Sequence, residues 1–258
     1  MIALQVYLAV VPGELQEASK YGRSFAHVAY RIGPGSTLLR QNLLLQTRGG
    51  LLSISDREAP PIEEPDALCA AVLRECSRRS YGGAVLDFED APRRDRIVFA
   101  ERLERALTTS RRALYVPENY LPSPKTAVPL ICTAMSGGTF TERLQEAIRA
   151  RGGAGRLALD IQRLRMDFRL PARSGEGTPL SGKALEQLMA REAPAVFFSR
   201  DLCARYFTYT EKGETHFVLF DDADTLNQKL KTGAKMGFAA AFFMWPEVRD
   251  IAEKLALR

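Results

Sequence analysis

Apolar residues in this chain gather into short runs, separated by longer segments whose apolar positions recur every three or four residues. The runs predict eight strands, at 2–10 (IALQVYLAV), 25–32, 50–55, 83–89 (GAVLDFE), 113–117, 128–134, 156–162 and 237–244. Their apolar, β-branched and aromatic content suits strands buried on both faces, as in a parallel sheet. The periodic segments predict helices. One spans 65–79, with Pro65 in its first turn and Leu68, Val72 and Leu73 at helical spacing. Another spans 93–110, with Ile97, Phe99, Leu103 and Leu107. A third opens on Thr139 and Glu142, read as a capping box, and closes at Gly152. Two more cover 183–193 and 224–235, and a last one runs from Pro246 with Val248, Ile251 and Leu255 as its stripe.

Strand–helix alternation repeated about eight times predicts an α/β protein, a (β/α)8 TIM barrel spanning residues 1–258 as one domain. Residues 170–223 break the rhythm. They hold a polar loop (RSGEGTP), a helix and a hairpin, ARYFTYTEKGETHFVLF, turning at Lys212–Gly213. This predicts a small α+β insertion between strands 7 and 8.

Composition narrows the function classes. The chain has 258 residues, 46% hydrophobic and 26% charged, with a net charge of +5. That is ordinary globular composition, with length enough for a large core. The charges are interspersed, with no nucleic-acid motif and no basic tract, so no nucleic-acid partner is expected. Four cysteines, none in a CxxC pair, and two histidines argue against a zinc site, and no metal or cofactor is expected. Cys69 and Cys76 read as buried thiols on one helix face. The N-terminus has no basic region and turns polar after 12 residues, which reads as a strand and not a signal peptide. No apolar run approaches membrane-spanning length, so the expectation is a cytoplasmic chain with no membrane partner.

The chemistry centres on YGGAVLDFED, residues 81–90. Alternate residues of a strand face opposite sides, so Ala84, Leu86 and Phe88 share one face and Val85, Asp87 and Glu89 the other. The first set fits packing under the outer helices. The second becomes acidic towards the C-terminal end, where the catalytic groups of such barrels stand. Two carboxylates roughly 6–7 Å apart couple, so that one is ionised and the other protonated near neutral pH. A solvated loop beginning at Glu89 and Asp90 would explain those two residues but not Asp87.

At these residues the chain resembles the family 18 glycoside hydrolases, the chitinase-like barrels, and most closely their spore peptidoglycan hydrolase branch. GAVLDFE is similar to the family's strand-4 signature. FAHVAYRIGPGSTL resembles the branch's second strand and turn, RLALDIQRLRMDFRLP its seventh strand, YFTYTEKGETHFVLFDDADTLNQKL its hairpin insertion, and GFAAAFFMW the eighth strand with its tryptophan. The resemblance implies hydrolysis of N-acetylglucosamine-containing glycan, peptidoglycan favoured over chitin, by substrate-assisted retention. In that mechanism Glu89 is the general acid and Asp87 the partner of the substrate's acetamide. The resemblance also allows spore association without an export signal. Three positions depart from the family. Val85 stands where it has Asp or Asn, Ala134 and Met135 where it has Tyr and Asp, and Met244 aligns with its sugar-flooring tryptophan, with Trp245 next to it.

Candidate substrate-binding residues at the mouth are Tyr30, Glu118, Tyr120, Asp160, Gln162, Met244 and Trp245. Each has a structural alternative. Tyr30 could cap the barrel, and Asp160 could pair with an arginine. Asp167 and Asp222 read as ordering the insertion, and His216 as structural. Two functions therefore stand. One is a glycosidase. The other is a barrel of reduced activity that binds glycan or serves as a spore or wall structural module. A phosphate-binding barrel has only the Ser-Gly-Glu-Gly run at 174–177 to recommend it.

Overall fold

The computed structural model describes residues 4–41, 47–121, 124–172 and 176–257. Residues 2 and 3 of the predicted first strand, and Ser174 and Gly175 of the glycine-bearing run, lie outside them. Fourteen strands form in chain order among the described residues: β1 Gln5–Val10, β2 Phe25–Gly33, β3 Thr37–Arg40, β4 Leu51–Ser55, β5 Gly83–Asp87, β6 Ala113–Pro117, β7 Val128–Cys132, β8 Ala158–Ile161, β9 Arg165–Arg169, β10 Thr178–Pro179, β11 Phe197–Ser199, β12 Ala204–Glu211, β13 Glu214–Phe220 and β14 Ala240–Met244. Seven helices accompany them: α1 Leu15–Ala18, α2 Pro65–Arg79, α3 Arg94–Thr109, α4 Phe140–Arg151, α5 Gly182–Glu192, α6 Ala223–Met236 and α7 Trp245–Val248.

Eight strands pair in parallel in the order β1, β2, β4, β5, β6, β7, β8, β14, and β14 pairs back to β1. The sheet is therefore a closed (β/α)8 barrel, as the alternation predicts. Its strands are the eight read from the sequence. β3 is an addition, an antiparallel edge folded back on β2. Inside the barrel, Leu51, Val85, Tyr115, Ala158 and Phe242 form a separate cluster. Phe242 stacks on Tyr7 with centroids 5.0 Å apart and meets Tyr115 edge-on at 4.9 Å. Outside, Ala84, Leu86 and Phe88 pack with Phe99, Leu103 and the apolar face of α2. The two faces of β5 thus separate as its alternation requires. Cys69 and Cys76 are free thiols buried in α2.

Between β8 and β14 lies a second, antiparallel sheet in the order β10, β9, β13, β12, β11. Its central hairpin turns at Lys212–Gly213, both at positive φ, with Glu211 opposite Glu214. A two-residue hairpin turn of this kind needs positive φ at both positions, and Gly213 supplies the second without steric cost. One sheet face is covered by α5 through Leu185, Leu188, Phe207 and Val218. The sheet takes in Arg165–Arg169, ahead of the 170 boundary read from composition.

Two helix readings are corrected. Thr139 is the N-cap of α4 but makes no side-chain capping bond, so the Thr139–Glu142 box does not form. A capping box does form at α6, where Asp222 accepts from the Thr225 amide and Thr225 returns the bond to the Asp222 amide. The last helix is not continuous either. α7 has one turn and then tightens into a 3-10 segment over Arg249–Lys254.

Candidate functional site

β5 ends at Asp87, so the strand delivers this carboxyl to the C-terminal mouth. Val85 lies below it, 6% exposed in the interior cluster. Glu89 stands exposed at the rim beyond the last ladder position. The column Val85, Asp87, Glu89 therefore rises from core to opening as parity predicts. Above it opens a cleft of about 810 Å³. Asp87, Glu89, Glu118, Asp160, Gln162 and Met244 all line it.

The electrostatics make the deeper acid hold its proton more tightly than a free carboxyl. Asp87's pKa is raised to about 6, first by burial and then by the charges of Glu89, Asp160 and Asp56. Burial also raises Asp160, and a hydrogen bond from Gln162 Nε2 to its Oδ2 at 2.7 Å opposes that rise. Asp160 therefore finds an amide partner and not an arginine. Glu118 sits in the turn after β6 and is ion-paired and hydrogen-bonded to Arg143 of α4.

Three candidates do not reach the cleft. Tyr30 is turned outward, because β2 bulges by one residue between Val28 and Tyr30. The extra residue reverses strand parity. Tyr30 is then 3% exposed, with its hydroxyl 2.9 Å from Glu75 Oε1 and 3.1 Å from the Tyr81 hydroxyl. Tyr120 is buried with its ring against Phe88 at 5.7 Å, on the outer side of the barrel wall. Trp245, one residue past Met244, faces the opposite side of β14. It is fully buried among Leu8, Phe243 and Val248 and stacks obliquely on Tyr21 at 5.6 Å. Met244 alone represents that strand end in the cleft, so no tryptophan or tyrosine lines it among the described residues.

Ala134 and Met135 follow β7 and pack away from the cleft, Ala134 against the inserted sheet and Met135 against the outer core. Asp167 and His216 meet at 3.1 Å within the insertion, and Tyr209 donates to Asp167 at 2.7 Å. These bonds tie β9, β12 and β13 together within the inserted sheet.

The sequence reading missed Arg163, Glu247 and Asp56. Arg163 and Glu247 line the cleft wall. Arg163 is tied by two bonds to Asp250 at 2.6 and 2.8 Å. Asp56 follows β4 directly, is 3% exposed, and accepts from the Glu89 amide at 3.2 Å. Strand parity puts Asp56 on the outward side with Leu52 and Ile54, so the parity argument that found Asp87 passes over it; its position at the C-terminal end of LLSISD was the one available signal.

The chain is thus a closed (β/α)8 barrel with one carboxylate ending its fourth strand, a second just beyond it, and an antiparallel sheet inserted between the seventh and eighth strands. The fold is similar to that of the spore cortex-lytic enzyme SleL of Bacillus megaterium QM B1551, with 14% identity, a TM-score of 0.67, and 98% of this chain aligned to 75% of that one. A chitinase from Chromobacterium violaceum gives 18% identity and a TM-score of 0.70 over 99% of this chain and 98% of that one. A chitinase-like agglutinin from Robinia pseudoacacia gives 12% and 0.67 over 96% and 98%. At such identities what is shared is the fold, and it is the fold that the motif resemblance implied. No protein-family model and no curated protein matches the chain by sequence.

Proposed function

We propose that the chain hydrolyses an N-acetylglucosamine-containing glycan, with peptidoglycan favoured over chitin. The observation that carries this is the inward column of Asp87 and Glu89 on β5, opening into a cleft of about 810 Å³. In the substrate-assisted route, the sugar's acetamide oxygen attacks the anomeric carbon as the glycosidic bond breaks. Glu89 passes its proton to the leaving oxygen and takes one back from the water that opens the cyclic intermediate. Asp87 accepts from the acetamide N–H and holds the oxygen in line. Gln162 and Asp160 offer further polar contacts on the opposite wall. The spore cortex-lytic enzyme and the chitinases share this fold, which supports a glycan polymer, and the motif resemblance to the spore branch is what favours peptidoglycan.

A second reading rests on a specific observation. Met244 is in the place of an aromatic floor, and Val85 gives Asp87 no polar support from below. A barrel so altered binds glycan and turns it over slowly or not at all, and the agglutinin of the same fold supports this alternative. Turnover of N-acetylglucosamine oligomers and of spore-cortex peptidoglycan by wild type and Glu89→Gln separates the two. Hydrolysis by the wild type and a loss of about 10²-fold or more in Glu89→Gln is the expected result. Binding without turnover of either substrate overturns the glycosidase in favour of the binding module.

A further inference from the structure

The ladder of β5 stops at Asp87, so strand pairing fixes that residue but not Glu89. Two contacts fix the next turn. Phe88 is anchored under the helices against Phe99 and Tyr120. The Glu89 amide donates to Asp56 Oδ1 at 3.2 Å, a bond from the neighbouring βα loop. Asp56 is itself held. The guanidinium of Arg96, 1% exposed on α3, has its Nε 3.6 Å from Asp56 Oδ2. Arg96 in turn donates to Asp95 at 2.8 Å and to the Pro60 carbonyl at 2.9 Å, and Asp95 accepts from the Ile62 amide at 2.9 Å. The loop over 59–62 holds the buried guanidinium facing Asp56 Oδ2 across a long ion pair without a hydrogen bond, and Oδ1 takes the Glu89 amide.

We propose that Asp56 is the positioning residue for Glu89, holding the acid's backbone at the rim where no strand ladder reaches. This rests on the glycosidase reading for its catalytic consequence but not for its geometry. A buried carboxylate is costly unless it is paired and hydrogen-bonded, and here the Glu89 amide donates the hydrogen bond that the Asp56 side chain accepts while Arg96 supplies the opposite charge. The charge of Asp56 also reaches Asp87, so one side chain outside the cleft acts on both members of the acid pair. The support that Val85 does not supply from beneath is thereby supplied from the side.

The test compares wild type, Asp56→Asn and Asp56→Ala by backbone hydrogen exchange at the Glu89 amide and by kcat and KM on N-acetylglucosamine oligomers. Asparagine keeps an oxygen that accepts from the amide, and alanine does not. The Glu89 amide is expected to be protected in wild type and Asp56→Asn, and to exchange at least about tenfold faster in Asp56→Ala. The kcat of Asp56→Ala is expected to fall about 10- to 100-fold with KM within about twofold, and Asp56→Asn to recover most of it. Equal protection in all three proteins overturns the proposal, as does a changed KM at unchanged kcat. If the wild type turns over nothing, the glycosidase reading falls, and the exchange measurement alone decides the role of Asp56. Should Asp56→Ala fail to fold with Arg96 stranded, Asp56→Ala/Arg96→Met removes that cation and takes the same measurements.

Discussion

Lys229 Nζ lies 2.7 Å from Asp221 Oδ2, and both side chains are wholly buried. Asp221 closes the inserted sheet, and Lys229 lies on α6 of the barrel. The same carboxylate accepts from the Leu164 amide at 3.0 Å and from the Thr225 hydroxyl at 2.8 Å. The pair therefore fastens the start of the insertion and its return to one point on the barrel, beside Arg163 at the cleft.

Lys229→Ala leaves Asp221 charged and buried without its cation. Removing one partner of such a pair costs about 3–5 kcal/mol. Chemical denaturation is expected to show a loss of that size, and Lys229→Ala/Asp221→Asn should recover part of it. A loss below about 1 kcal/mol would mean that the pair does not hold the insertion.

Asp87 makes stability depend on pH. Its folded pKa of about 6 lies above its ordinary value of 3.8, so the folded state binds the proton more tightly than the unfolded state. The stability this gives is fully present below about pH 4 and is lost as pH rises through about 6. Asp87→Asn cannot ionise and escapes that loss. It is expected to match wild type near pH 4 and to exceed it by up to about 3 kcal/mol at pH 8. Thermal melts across pH 4–8 check this, and an unchanged difference across the range refutes it. Under the proposed reaction, an ionised Asp87 is needed to accept from the acetamide. The acid limb of kcat/KM is then expected near pH 6.

Tyr30→Phe removes a hydroxyl that bonds Glu75 and Tyr81 on the outer side of the barrel. The expected result is a stability loss of about 1–2 kcal/mol with glycan turnover and KM unchanged within about twofold. A raised KM at unchanged stability would return Tyr30 to the cleft.

Sequence alone determined the eight barrel strands, the principal helices and the inserted hairpin, because each rests on local periodicity and turn chemistry. It also placed Val85, Asp87 and Glu89 in one inward column, since β5 is a regular strand and parity propagates along it without error. Tertiary structure decided where that regularity failed. A bulge after Val28 turned Tyr30 outward, and it arises from pairing with β4, which no pattern within β2 reveals. One residue of parity put Met244 in the cleft and Trp245 in the core. Tyr120 went to Phe88 because the turn after β6 swings it behind the wall. Asp56 and Glu89 are 33 residues apart, and their bond exists only because β4 and β5 lie side by side. Which side chains share a face is a local property of the backbone. Which of them meet across strands is set by register and closure, and these belong to the whole barrel.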